Sequence, residues 1–403
     1  MNVGSPVAVY VNTKSASYSA DFYRLGWYGG AGASLKGQLG PFPGIVQAPA
    51  SIDSMTGSAS CSWSKSFSID TTGFVTGIYL VKLTTAEGHQ QYVYFILRDD
   101  SRTADVLFVS SSSTMQAYNS WGGKSLYGSN STNLSAATAV SYDRPYQPSF
   151  ASDGAGQILA WDIKVLHFLE RHGLDVCYSD IRDLHTASPT GFRCALISGH
   201  SEYWSKQARA NLQSAASQGV NVLALAGNVC YWQVTFDADV MTCNKGGGDP
   251  NTGLFQKLNP EESFFGQTYV GFESPHVPTD FVIAAGTPAW VLDGTHLAVG
   301  HHLTGLFGYE GDKTTSRTPS SAVVWGNSPF TDHDTKQLLR GVATYYSSSD
   351  SSTGCSYQVL NVGSTNWAYG LDSAGYNMTN PPTNYENPDA QQVTLNVINR
   401  FIA

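Results

Sequence analysis

Asp105-Val106-Leu107-Phe108-Val109 is a short run without polar alternation, the pattern of a strand buried on both faces inside a parallel sheet. Working outward from it, strand-like and helix-like stretches alternate. From Ile158 to His172 apolar residues fall at Ile158, Leu159, Ile163, Leu166 and Leu169, a helical stripe that Gly173 ends. Asp175-Val176-Cys177-Tyr178 and Ala195-Leu196-Ile197-Ser198 read as further strands, Ser205 to Ser217 as a helix stopped by Gly219, and Val220 to Leu225 as another strand. A last apolar stripe, Val393 to Phe401, reads as a helix packed back on the sheet. Such alternation builds right-handed βαβ units, with functional residues expected just beyond the C-terminal ends of the strands. The stretch from about 230 to 330 is irregular and rich in Gly and Pro, and reads as an insertion.

Upstream the pattern is different. Val7 to Val11, Tyr18 to Leu25, Gly77 to Leu83 and Gln91 to Leu97 read as short strands, with period-two alternation at Tyr18, Ala20 and Phe22. Turn-rich sequence separates them, and no helical stripe precedes residue 100. That is the pattern of an antiparallel β-sandwich. Arg98-Asp99-Asp100-Ser101 marks the boundary, so the expected organisation is a β-sandwich domain over 1–100 and an α/β domain with a mostly parallel, flavodoxin-like sheet over 101–403.

A chain of 403 residues suits two domains. Only 13% of residues are charged, and Gly, Ser, Thr and Tyr stand where a cytosolic enzyme carries Lys and Glu; this balance points to a secreted, extracellular or periplasmic protein. A net charge of -9 without a Lys/Arg run argues against nucleic acid as a partner. No apolar run is long enough to span a membrane. The six cysteines contain no C-x-x-C pair, and Cys230 with Cys243 is the expected disulfide, closing a short loop; buried free thiols are the alternative. Asn130, Asn133 and Asn377 begin glycosylation sequons.

Chemistry-bearing residues concentrate in Ser198-Gly199-His200-Ser201-Glu202-Tyr203-Trp204, directly after a strand. Ser201 as a nucleophile is one reading, but Glu202 and Tyr203 occupy positions that the strained elbow needs small. His200 and Glu202 in a metal or acid–base site is a second, since carboxylate and imidazole both suit iron. A charged loop that caps the next helix is the third. Tyr118 and Tyr127, in the stretch after the first buried strand, are further candidates, although a tyrosine is more often a packing residue. Gly227-Asn228 and Gly308-Tyr309-Glu310-Gly311-Asp312 are polar loop tips, with Glu310 either a general base or a turn carboxylate.

Phe22-Tyr23-Arg24-Leu25-Gly26-Trp27-Tyr28-Gly29-Gly30, Ala117-Tyr118-Asn119 with Gly122 to Tyr127, Gly199 to Trp204, Gly227-Asn228 and Asn366 to Leu371 together resemble the large (β) subunit of N,N-dimethylformamidase and its relatives. The resemblance implies a lectin-like sandwich followed by a glutamine-amidotransferase-like domain. It also implies a mononuclear iron(III) site made by two tyrosines and a glutamate, acting on a small amide. Carried over by motif, the metal ligands are Glu202, Tyr118 and Tyr79, with His200 beside them and Glu310 as the base that activates water. The expected function is thus a secreted, iron-dependent hydrolase of an amide or related C–N bond. The rival is a non-catalytic secreted module whose Tyr, Trp and Asn residues stack on a glycan or on neighbouring copies in a homo-oligomer.

Overall fold

A computed structural model of the chain describes residues 1–147, 154–274 and 276–403. The fold is mixed α/β with several sheets. In the N-terminal part the strands Ala33–Pro43, Ser17–Leu25, Gly77–Thr85 and Gln90–Leu97 lie side by side in that order, all antiparallel. Their alternation is used on both faces. Tyr18, Ala20, Phe22, Tyr79 and Val81 share one core with Val7, Val9, Phe67 and Ile69 from a separate two-stranded pair. Ile78, Leu80 and Ile96 point the other way, into a core shared with Val106, Phe108, Phe168 and Leu169. Period two therefore puts successive residues of one strand into two different cores.

The corner at Gly26 anchors this sheet to the helix Ile163–Arg171. Arg24 pairs with Glu170 at 2.8 Å, the Trp27 backbone N–H donates to the same carboxylate at 3.1 Å, and the Trp27 ring stands edge-on to His167. A Cβ on Gly26 would lie 2.3 Å from Glu170 Oε2, so any larger residue would have to push the ion-paired carboxylate aside. This docking accounts for the Arg24-Leu25-Gly26-Trp27 motif in structural terms.

The largest sheet has seven strands in the order Val176–Asp180, Val106–Ser110, Cys194–His200, Asn221–Gly227, Ser356–Asn361, Leu338–Ser349 and Val323–Thr331. The first five are parallel and the last two antiparallel. Both faces are covered, which is why the strands read as unbroken apolar runs. Val106, Phe108 and Leu196 face the core completed by Ile163–Arg171 and Pro388–Ile402, while Leu107, Val109, Ala195 and Ile197 face Ala208, Leu212 and Ala215 of Lys206–Ala216. Leu196, Ile197 and Leu223 are fully buried, and burial of each such side chain stabilises by roughly 1.5–3 kcal/mol. Helix starts are capped as their sequences suggest: Ser205 Oγ accepts from Ala208 N, and Asn387 precedes Pro388 and accepts from Asp389 N and Ala390 N.

Three expectations need correction. The helix expected from Ile158 opens as a π-helical turn over Ile158–Asp162 and becomes α-helical only at Ile163. The wider turn carries Trp161, whose ring stands nearly perpendicular to that of His200, 6.5 Å away. The stretch from 230 to 330 is irregular but not structureless: it holds small strand pairs and ends in Val323–Thr331, an edge of the main sheet. Finally, all six cysteines are free. Cys230 packs with Val229 and Phe255, whereas Cys243 packs with Ala117, Leu126 and Tyr203, so the two expected disulfide partners sit in separate cores. No helix among the described residues is long and apolar enough to cross a membrane.

Candidate functional site

The parallel strands deliver their loops to one place. The strand Val106–Ser110 runs into the helix Ser112–Tyr118, which ends on Tyr118; a turn at Trp121–Gly123 then brings back Tyr127. Cys194–His200 ends on His200 with Glu202 just beyond, and Glu310–Lys313 crosses beside the end of Asn221–Gly227. Gly227 allows that crossing, since a Cβ there would be 2.9 Å from the Glu310 carbonyl oxygen. The loop after His200 is pinned by Thr114, whose hydroxyl accepts from the backbone N–H of Glu202 at 2.9 Å and of Tyr203 at 3.3 Å.

At the centre, Tyr118 Oη donates to Glu202 Oε2 at 2.8 Å. Tyr127 Oη stands 3.0 and 3.1 Å from the two Glu202 oxygens and 2.8 Å from Tyr118 Oη. Tyr203 donates to Tyr127 at 2.6 Å. Each phenol has one proton, so the consistent arrangement runs from Tyr203 to Tyr127 to Glu202, with Tyr118 donating to the same carboxylate. The Tyr118 and Tyr127 rings stack at 4.3 Å, which fixes both oxygens on one side.

Behind Glu202 lies His200, its side chain fully buried. Nε2 stands 3.0 Å from Glu310 Oε2 and 3.4 Å from Glu202 Oε2, and Nδ1 stands 3.0 Å from the Tyr309 hydroxyl. His200 Nε2 and Glu310 Oε2 are close, yet neither makes an aligned hydrogen bond. Burial alone would lower the His200 pKa; the charges of Glu310 and Glu202 outweigh it and raise the pKa. Glu202 is raised by burial and then by Glu310. Burial and the Glu202 carboxylate push Tyr118 and Tyr127 well above the ordinary phenol range. Asp312, two residues along the Glu310 strand, accepts from Asn228 N and Gln267 Nε2 at 3.1 Å each, and burial raises it to about 7.

Of the residues singled out in the sequence, the fold brings together Tyr118, Tyr127, Glu202, His200 and Glu310. It does not bring Tyr79 there. Tyr79 Oη donates to the Val75 carbonyl at 2.8 Å, and its ring is stacked between Phe74 and Phe95 in the N-terminal core. Tyr127 supplies the second phenol instead. Ser201 is buried, and its hydroxyl accepts from Ser111 Oγ at 2.6 Å and Trp204 Nε1 at 3.1 Å rather than meeting an imidazole. Sequence reasoning missed Tyr309, Tyr203 and Lys245. The Lys245 ammonium lies 3.3 Å from the Tyr127 ring centroid, and burial lowers its pKa against the opposing pull of Glu202. Tyr309 was adjacent to Glu310 in a loop already marked, and Lys245 opens a triple-glycine run, so each carried a local signal.

Among the described residues no set of three or more His, Cys, Asp or Glu side chains is arranged to hold a metal. The donors gathered here are of another kind: two phenol oxygens and one carboxylate. No curated protein matches the chain significantly. The profile of the family described as N,N-dimethylformamidase beta subunit-like, C-terminal, matches residues 19–384, which spans both the N-terminal sheet and every residue of the cluster. The chain belongs to the N,N-dimethylformamidase beta subunit-like family.

Proposed function

We propose that this chain hydrolyses an amide or a related C–N bond at the Tyr118–Tyr127–Glu202 cluster, with trivalent iron held by those three side chains. The observation that carries the reading is the convergence of two half-buried tyrosines' phenol oxygens on one buried carboxylate, all within 3.1 Å. Hard anionic oxygens suit a trivalent cation, and two phenolates with a carboxylate would balance its charge. The field that keeps these phenols protonated is the one a multivalent cation reverses. The unmatched Glu310 Oε2 and His200 Nε2 are further polar atoms facing the cluster without aligned partners. Tyr127 replaces Tyr79 in this ligand set.

Bound there, iron would supply Lewis acidity, acidifying a water and drawing electron density from the amide carbonyl. The protein's own part is proton handling. As water adds to the carbonyl carbon, its proton passes to the Glu310–His200 pair, whose facing atoms are 3.0 Å apart. The C–N bond then breaks and the proton is returned to the departing amine nitrogen. Tyr309, at Nδ1, orients the imidazole so that Nε2 faces the carboxylates. Trp161 and Tyr309 stack at 6.0 Å and shield this pair from bulk water.

We infer also the finer architecture: a sandwich over 1–100 and a glutamine-amidotransferase-like unit over 101–403. The two sets of N-terminal strands that share one core support the first. The five parallel strands, which taken in chain order lie as 2-1-3-4-5, support the second. Export from the cytosol is proposed from composition alone, and cell fractionation tests it.

Elemental analysis of the purified protein, with its visible spectrum, tests the site. The expected result is about one iron per chain, as a mononuclear site requires, and a broad phenolate-to-iron charge-transfer band. Glu202→Ala should lose metal, colour and amide turnover together. A protein that stays colourless and metal-free after incubation with iron sinks the hydrolase, and the non-catalytic binding module takes its place.

A further inference from the structure

Lys245 has no part in the chemistry above, yet it closes the cluster. Its ammonium lies 3.3 Å from the ring centroid of Tyr127, 4.9 Å from that of Trp232 and 5.1 Å from that of Tyr203. Among the described residues it forms no ion pair, so three π faces stand where an anion would.

The cage and its occupant are built differently. Tyr203 and Trp232 face each other in register on two parallel strands, Tyr203–Ser205 and Trp232–Asp237. Tyr127 is tied to Tyr203 by a 2.6 Å hydroxyl contact and stacked on Tyr118. The cage is therefore fixed by sheet pairing and by the cluster itself. Lys245 instead sits at the head of Gly246-Gly247-Gly248, in which Gly247 and Gly248 take φ of +85 and +89, with open space where a side chain would stand. An aromatic cage set by sheet pairing thus holds a cation carried on a glycine-rich turn.

We propose that Tyr127, Tyr203 and Trp232 form a subsite for a small alkylammonium cation, which Lys245 occupies as an internal stand-in until a ligand displaces it. A primary ammonium is strongly hydrated and loses much by entering such a cage, whereas methylated ammonium is weakly hydrated and spreads its charge over groups that fit aromatic faces. The subsite lies on the ring face of Tyr127, whose hydroxyl points at Glu202. An amide whose carbonyl reached the cluster would therefore place a neighbouring alkylammonium group in the cage. As a substrate class for the hydrolase this rests on the function proposed above; cation binding itself does not.

The test uses choline and its neutral isostere 3,3-dimethyl-1-butanol, with binding read by tryptophan fluorescence and confirmed by calorimetry. Lys245→Ala should bind choline at least roughly tenfold tighter than the unmodified protein and at least tenfold tighter than it binds the neutral alcohol, as a vacated cation–π site requires. Trp232→Ala in that background should lose the binding. A Lys245→Ala protein that binds neither compound, or both equally, overturns the subsite. In the unmodified protein, choline should speed tryptic cleavage after Lys245 while the alcohol does not; cleavage indifferent to choline overturns the displacement. Choline binding by a protein that hydrolyses no amide would keep the subsite and remove the hydrolase.

Discussion

Tyr309→Phe deletes one oxygen and leaves the ring that stacks on Trp161. The oxygen removed is 3.0 Å from His200 Nδ1, on an imidazole with no exposed side-chain surface. Water has no ready access, so Nδ1 becomes a buried polar atom without a partner, which costs about 1–3 kcal/mol. In a chain of this length that is a fall of a few degrees in Tm. The second consequence concerns the proton. In the unmodified protein the Tyr309 hydroxyl can donate to Nδ1 and direct the Nε2 proton at Glu310, or accept from Nδ1–H when the ring is charged. Without it only the carboxylates at Nε2 bear on the tautomer, and Nδ1 has no partner to hold the ring in place. Loss of such an orienting partner typically reduces activity by about 10–100-fold, in kcat more than in KM. Calorimetric melting gives the first number, and ring-nitrogen NMR of His200 reports the tautomer without needing a substrate. A variant with unchanged Tm and an unchanged His200 nitrogen spectrum would refute the role given to Tyr309.

Gly26→Ala should destabilise by about 1–3 kcal/mol, as overpacking does, because its Cβ would enter contact with Glu170 Oε2, Tyr28 and Arg24; a melting curve equal to that of the unmodified protein would show the corner to be looser than its geometry. Burial raises Glu273 to about 8, above its ordinary value of 4.5, so its folded form prefers the proton. Its contribution to stability is complete below 4.5 and is lost as pH rises through about 8. Glu273→Gln should accordingly flatten the decline in Tm across that window, measured from pH 5 to 9 in one buffer series; an unaltered slope would count against it. Thiol titration of the denatured, non-reduced protein should find all six cysteines free, and reductant should leave Tm unchanged; a missing pair of thiols would contradict the packing of Cys230 and Cys243 in separate cores.

What could be read in the sequence divides by range. Strands such as Val106–Ser110 and Cys194–His200 were legible because burial on both faces leaves an unbroken apolar run. The candidate cluster was legible too, because such a sheet gathers what its strands carry at their C-terminal ends, and His200 ends its strand with Glu202 just beyond. Leu338–Ser349 was not: it carries a Gly and a serine-rich end, and it owes its strand form to pairing on both sides with Val323–Thr331 and Ser356–Asn361. The second phenol was misplaced for a related reason. Tyr79 and Tyr127 are the same side chain, each with its hydroxyl hydrogen-bonded, and only tertiary structure says which hydroxyl meets a carboxylate and which meets the Val75 carbonyl. Within the α/β part, Tyr127 follows Tyr118 by one short turn, and that turn returns it to the same strand end.

The cluster has a charge problem that its own residues do not solve. Glu202 and Glu310 are both buried, and each Glu–His contact is shared with the other carboxylate. One imidazolium cannot neutralise two carboxylates, and burial first and then the Glu310 charge raise the pKa of Glu202. Lys245 makes up part of it from across Tyr127, through a ring rather than by contact. A cation at the phenol oxygens and a cation on the ring face would address different parts of the same tyrosine: the oxygen lies in the ring plane, and the ammonium approaches perpendicular to it. A metal there and an alkylammonium in the cage are consequently compatible, and ionising Tyr127 to bind the first would strengthen its hold on the second. Choline affinity of Lys245→Ala should therefore rise on loading with iron; a fall would mean that the two cations compete for one place, and that Lys245 guards the metal site rather than a substrate subsite.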